Sequence, residues 1–489
     1  MKIIRKDPDP QDLEWYRESL TEKKTSRLRG LIFFLLSVML VFATVAYGAV
    51  DPWATALLAF FAGLIALLWL ADSFIGKEFW FSANRLQISL VGLIVIGLIQ
   101  LLPLRGAIEP DLLAIPATRA LSYDPSATRF FIVLLFVNLI FFAAALTFID
   151  TLKKMRLMTF TIIIFGSLMA FFGVIQSLTG DNSILGLRES VGAIPFATFI
   201  NRHHFAAFMN MTIGLTLGLL FGEATKKDKR LLLIIALVLM GIALIFTGSR
   251  GGLLSLFGVV GLVVLINILQ KETDENFDEF DKKPSKFHRS FLLIGSGLAL
   301  ILVLFGAVLM LGGDASLTRG IGLSNETDIS TGRTHFWYVT LQIIFHNPIL
   351  GTGLDSFGMA FPAYDTWNGS TYRLEQAHND YLQILSDAGI FGFLCVAWFV
   401  YFLFRQALRI VSDSSDNFRR GVAVGALAGC FGIIIHSLFD FPLRTSSNGL
   451  FFLMLAALAT VSLKDSESSS THKRRTRGAK VQTAKSRDL

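Results

Sequence analysis

The sequence predicts an all-α integral membrane protein of about twelve transmembrane helices, with one large polar loop between spans nine and ten. Three observations carry this. The chain is 53% hydrophobic and only 17% charged, with a positive mean hydropathy, which excludes a soluble globular domain. Its apolar residues fall into runs of bilayer-crossing length. Its positive charges fall on one side of the topology those runs define.

The spans are expected at about 30–50, 53–75, 86–104, 128–149, 157–178, 204–222, 231–248, 251–269, 291–311, 390–408, 420–439 and 447–463. This divides the chain into a cytoplasmic N-terminal segment (1–29), helices one to nine (30–311), an outer loop (312–389), helices ten to twelve (390–463) and a basic tail (464–489). The first apolar run follows a polar segment and is itself long enough to span, so it reads as a helix rather than a cleavable signal peptide. Glycines at close spacing in span eleven, Gly421, Gly425, Gly429 and Gly432, predict close helix–helix approach.

With both termini inside, 34 of the 44 Lys and Arg residues lie on the cytoplasmic side. The other ten are all Arg: Arg105, Arg119, Arg129, Arg188, Arg202, Arg250, Arg319, Arg333, Arg373 and Arg444. A guanidinium offers a rigid fork that grips phosphate bidentately, where Lys offers a mobile point charge. An outer face that uses only Arg is therefore suited to phosphate, although simple depletion of positive charge would give the same pattern at any single position.

The pI near 9.3 comes mainly from the two ends. Lys473-Arg474-Arg475 with Arg477 lies in a Ser/Thr-rich tail and reads as a disordered segment drawn to anionic lipid headgroups rather than to nucleic acid. Glu272–Lys286 reads as a solvated linker. Cys395 and Cys430 fall in separate spans and form no metal motif. There is no obvious internal repeat, which weakens a transporter made of inverted halves.

The groups able to do chemistry cluster on the outer side. Thr247-Gly248-Ser249-Arg250-Gly251-Gly252 forms a tight turn between spans seven and eight, where small residues and the N–H groups opening span eight favour an anion. A helix-end Arg250 snorkelling to lipid phosphate would read the same way. In the large loop, Arg333 opens a helix-like run. Phe336, Thr340 and Ile343 or Ile344 recur at helical spacing there, and Trp337 and Tyr338 are expected at the membrane interface. Asn347-Pro348 and the paired glycines Gly351 and Gly353 end that helix in a compact turn. His378 precedes a short helix, Asn379–Asp387, which Gly389 ends before span ten. An imidazole at a helix N-terminus is favoured in its neutral form, which a general base requires; a purely structural capping role is the alternative. Asn201-Arg202-His203-His204 brings another Arg and two His to the same side. Adjacent His residues on a helix do not point at one metal, and no Asp-x-Asp pair lies outside, so the residues call for no metal and no cofactor.

Taken together, these motifs resemble the O-antigen ligase/Wzy polymerase superfamily. The resemblance rests on Ser249-Arg250-Gly251-Gly252, Gly332-Arg333 with Trp337, Asn347-Pro348-x-x-Gly351-x-Gly353, and Ala377-His378-Asn379-Asp380-Tyr381-Leu382-x-x-Leu385 with Gly389 and Gly392. It covers about residues 190–460. His436-Ser437-Leu438-Phe439-Asp440-Phe441-Pro442-Leu443 is similar to a motif of the branch that polymerises O-antigen and exopolysaccharide. The resemblance implies a metal-independent, inverting GT-C-type glycosyltransferase of the bacterial inner membrane, part of lipopolysaccharide or exopolysaccharide biosynthesis, with its site on the periplasmic face. Its donor would be a glycan on undecaprenyl diphosphate. Arg250 and Arg333 would grip the diphosphate and His378 would deprotonate the attacking hydroxyl. Asn379, Asp380, Arg202, His204 and Ser249 would support them. His203 stands where the family commonly has Asn.

The acceptor would be either the growing glycan, with a chain-length regulator as partner, or a sugar of the lipid A core. The Asp440 motif favours the polymerase. A polysaccharide or lipid transporter without chemistry is a different class. It should carry charges deep inside several spans, and the mid-span stretches here are nearly free of them.

Overall fold

The computed structural model describes residues 2–5, 27–105, 118–180, 183–184, 186–189, 193–222, 224–225, 227–275, 333–365 and 374–463. In chain order the helices are α1 (Arg27–Val45), α2 (Pro52–Gly76), α3 (Gln87–Gln100), α4 (Pro125–Phe148), α5 (Leu152–Thr179), α6 (Arg202–Phe221), α7 (Lys227–Phe246), α8 (Arg250–Glu275), α9 (Arg333–His346), α10 (Phe357–Tyr364), α11 (Asp380–Asp413), α12 (Asn417–His436) and α13 (Ser446–Thr460). Among the described residues, nine are long and apolar enough to cross a bilayer; α3 and α13 are apolar but shorter. Eleven of the twelve expected spans therefore coincide with a helix. The ninth, at 291–311, lies outside the described residues, as do the basic tail, Arg319, Arg373, most of the N-terminal segment and most of the linker.

The described residues are mostly helical, as expected, with two short strand pairs beside the helices. Lys2–Arg5 (β1) pairs in parallel with Glu78–Phe81 (β2), and Ser183–Ile184 (β3) pairs antiparallel with Arg188–Glu189 (β4). The expected span 86–104 stops as a helix at Gln100, three residues before Pro103, whose ring excludes a helical N–H partner.

The bundle is organised on α6 and α12, the two most enclosed spans. Gly214, Gly218 and Gly222 of the α6 segment face Gly421, Gly425 and Gly429 of α12. A Cβ on Gly218 would stand 2.3 Å from the Gly425 Cα, so the two backbones touch directly. Lipid supplies no hydrophobic drive between helices, so this close van der Waals approach is what joins them. It also fixes the start of α6 beside the end of α12, where the candidate site lies.

The described part of the outer loop is folded back onto α11. That helix breaks at Gly389, whose φ of 61° and ψ of −159° free the backbone groups around it. The turn after α9 satisfies them: Ile390 N–H donates to Pro348 O, Thr352 N–H to Ser386 O, and Gly353 N–H to Asp387 O. The close fit needs glycine on both sides, because a Cβ on Gly351 would meet the Asp387 carbonyl carbon at 2.4 Å, and one on Gly389 would meet Ile349 O at 2.3 Å. Gln100, at the end of α3, closes the arrangement by donating to Leu350 O and Asp387 O and accepting from Leu354 N–H. Irregular backbone near a membrane is tolerated only when it is satisfied in this way.

Candidate functional site

Five segments meet at one end of the bundle: the start of α6, the α7–α8 turn, the start of α9, the segment leading into α11, and the chain after α12. Between them lies a cavity of about 110 Å³ lined by Arg202, His203, Gly248, Ser249, Arg250, Gly251, Arg333, His436, Phe439 and Asp440. Of the ten outer arginines, Arg202, Arg250 and Arg333 are brought together here.

The others that the structure describes do not line it. Arg105 lies over the Tyr123 ring at 4.1 Å, Arg129 donates to Pro125 O, and Arg188 pairs with Asp51. Arg444 is buried between Asp355, at 2.8 Å, and Asp387. Burial disfavours its charge, but Asp387 and Asp355 outweigh that cost and raise its pKa.

Local structure sets each lining residue. Ser249 accepts from Gly252 N–H at 3.1 Å, capping α8 and leaving Arg250 on its first turn. Asn201 caps α6 by accepting from His203 N–H at 2.8 Å. His203 then turns its Nδ1 to Ser249 Oγ at 2.9 Å.

His204, expected at the site, is turned away from the cavity. It is buried, with Nδ1 2.7 Å from Thr445 Oγ1 and its ring edge-on to Phe441. Consecutive helical residues point about 100° apart, so only one of the two imidazoles can face the cavity, and it is His203.

His378 sits just before α11 with a left-handed backbone, φ 52°. Such a conformation is uncommon outside glycine and persists where the surroundings impose it. Here the imposing contacts run between two motifs some sixty residues apart. Asn379 caps α11 by accepting from Tyr381 and Leu382 N–H and donates to Leu438 O at 3.0 Å. Asp380 N–H donates to Ser437 O, and its carboxylate accepts from Ser437 Oγ at 2.8 Å. Tyr381 OH donates to Ile434 O at 2.7 Å. Asn379 and Asp380 thus act as staples and do not line the cavity.

The staple delivers Asp440 to His378: Nδ1 lies 3.2 Å from Asp440 Oδ1, which also accepts from Phe441 N–H. Burial alone would raise the Asp440 pKa, but the His378 bond and the nearby His204, His203 and His436 hold it below the usual carboxylate range. His378 is not itself a cavity-lining residue; it joins the wall through Asp440. Its ring is stacked on Phe336 and edge-on to Phe441, and the side chain stays 27% exposed.

Trp337 donates from Nε1 to Ala377 O at 3.1 Å and so clamps the segment carrying His378. The buried face of α9 is Val339, Thr340 and Ile343, and Tyr338 is exposed. Sequence reasoning missed Asp440 as the partner of His378, and it missed His203, His436 and Phe439 as lining. One signal was present: His436 and Asp440 are four residues apart at a helix end and so share a face. Among the described residues, no group of three or more His, Cys, Asp or Glu is arranged to hold a metal ion.

No curated protein matches the chain. Residues 235–397, from within α7 to the middle of α11, match the Wzy_C family, described as O-antigen ligase. The match takes in Arg250, Arg333 and His378 but stops short of Asp440, and it supports the resemblance to the O-antigen ligase/polymerase superfamily over that part of the chain.

Proposed function

We propose that the protein transfers a glycan from a polyprenyl diphosphate carrier, undecaprenyl diphosphate in bacteria, to a sugar hydroxyl, without metal and with inversion at the anomeric carbon. One observation carries this reading: three guanidiniums line a cavity whose wall includes the carboxylate that holds His378. Diphosphate is already a good leaving group, so neutralising its charge and removing one proton from the acceptor are the tasks left to the protein. Arg202, Arg250 and Arg333 do the first.

For the second, Asp440 is ionised and can only accept, so His378 Nδ1 carries the proton and donates to it. The lone pair of Nε2 is then the base that takes the acceptor's hydroxyl proton. The oxygen attacks the anomeric carbon, the glycosidic C–O bond to the diphosphate breaks, and the leaving diphosphate stays among the arginines.

The distribution of basic residues supports termini on the cytoplasmic side of the inner membrane and this site on the periplasmic side. The resemblance of the His436–Leu443 segment to the polymerase branch favours the growing glycan as acceptor. The family's own description, O-antigen ligase, favours a lipid A core sugar as the second reading. Reconstituted protein given lipid-linked donor with each acceptor separates the two. Lengthening of lipid-linked glycan supports the polymerase, and transfer to the core supports the ligase. With neither product and no polyprenyl diphosphate released, glycosyl transfer is wrong.

A further inference from the structure

The arginine-lined cavity contains a group that charge alone does not explain. His203 lies among Arg202, Arg250 and Arg333, where a further positive charge would be repelled. Its hydrogen bonds determine its tautomer. Ser249 is 1% exposed and its Oγ makes two bonds among the described residues: it accepts from Gly252 N–H at 3.1 Å and lies 2.9 Å from His203 Nδ1. A buried hydroxyl proton needs an acceptor, and the only one Ser249 meets among the described residues is that nitrogen. Ser249 therefore donates to Nδ1, and the imidazole proton resides on Nε2, the nitrogen left for the cavity.

His436, 1% exposed at the end of α12, lines the same space with an Nδ1 that makes no hydrogen bond among the described residues. The cavity thus offers directional neutral donors beside its charges. Each phosphoryl oxygen of a diphosphate can accept more than one hydrogen bond, so neutral donors can act on it beside the guanidinium forks.

We propose that His203 is a ligand-contacting residue, donating from Nε2 to a phosphoryl oxygen of the diphosphate, and that Ser249 is the positioning residue that fixes its tautomer. This rests on the diphosphate reading of the cavity.

The test is the affinity of the purified full-length protein in detergent for farnesyl diphosphate, with farnesol as the control for the apolar tail. A Gln amide nitrogen reaches where the histidine Nε2 lies, whereas an Asn amide reaches only as far as Nδ1. His203→Gln should therefore keep affinity within about two- to three-fold. His203→Asn should retain a partner for Ser249 yet bind about ten-fold or more weakly, the worth of one hydrogen bond to a charged group. A purely structural His203, needed only to hold Ser249, predicts the reverse order, and His203→Gln binding no better than His203→Asn overturns the inference. Arg250→Gln separates this from the underlying reading. If wild type binds the diphosphate no better than farnesol, or Arg250→Gln binds as wild type does, the diphosphate site itself is wrong and the inference falls with it. If Arg250→Gln weakens binding and only the Gln/Asn order fails, the site stands and the role of His203 does not.

Discussion

His378 and Asp440 lie 62 positions apart in sequence, yet their side chains are joined at 3.2 Å, and the backbone on both sides of that bond is stapled. Among the described residues the Asp440 carboxylate accepts one other hydrogen bond, from Phe441 N–H, so the pairing determines which imidazole nitrogen is available. Asp440→Asn should lower turnover about 10²-fold or more, because an Asn amide can donate to Nδ1 and leave the proton on the wrong nitrogen. Turnover of purified variant and wild type, compared at equal folded concentration and well below both melting temperatures, checks this.

The same carboxylate gives a pH dependence of stability. Its folded pKa is depressed, so its stabilising contribution is fully present above the unfolded value, about 3.9, and is lost only as pH falls through the lower folded value. The gap in melting temperature between wild type and Asp440→Asn should hold from neutral pH down to about 4 and narrow below that. A gap that closes between pH 7 and 5 would assign the effect to another group.

Arg250→Lys and Arg333→Lys keep the charge but lose the bidentate fork. Each should cost roughly ten- to a hundred-fold in turnover. Product formation at matched expression is the measurement, and wild-type levels in both variants would make these arginines topological only.

Gly218→Ala should destabilise the protein by about 1–3 kcal/mol, since its Cβ would stand 2.3 Å from backbone atoms of Gly425. Gly241→Ala, in the same bundle with nothing within 4 Å of the added Cβ, should be neutral or slightly stabilising. Thermal melts of the two variants in one detergent provide the comparison.

Asp387→Ala would leave Arg444 buried with Asp355 alone, and removing one partner of a buried pair costs about 3–5 kcal/mol. Because that network holds the Gly351–Gly353 turn against α11, the loss should show first as proteolysis within residues 347–356.

Much of this was legible in the sequence because the bilayer imposes length and apolarity on every span. The break at Gly389 and the glycine spacing on α12 also followed from residue type at fixed positions, while the expectation that Arg250 and Arg333 meet came from the family resemblance. Helix rotation did not follow. An α6 segment buried on nearly every side has no apolar stripe to orient it, so His204 could not be told from His203. The Asp380 and Asp440 roles were equally hidden, because both are buried acids after polar motifs and only the tertiary staple decides which one reaches His378. The Trp337 bond to Ala377 O was hidden for a similar reason: an amphipathic ring gives no sign of which carbonyl its N–H will meet.

The central claim, that His378 is a base working beside an arginine-lined diphosphate site, is tested most directly by His378→Ala in a reconstituted transfer assay with purified lipid-linked donor, acceptor glycan and EDTA. The wild type should turn over undiminished in EDTA. The variant should bind donor as the wild type does yet transfer glycan about 10²–10⁴-fold more slowly. A His378→Ala protein that transfers at the wild-type rate, or a wild type that stops in EDTA and recovers with Mg²⁺ or Mn²⁺, would contradict it.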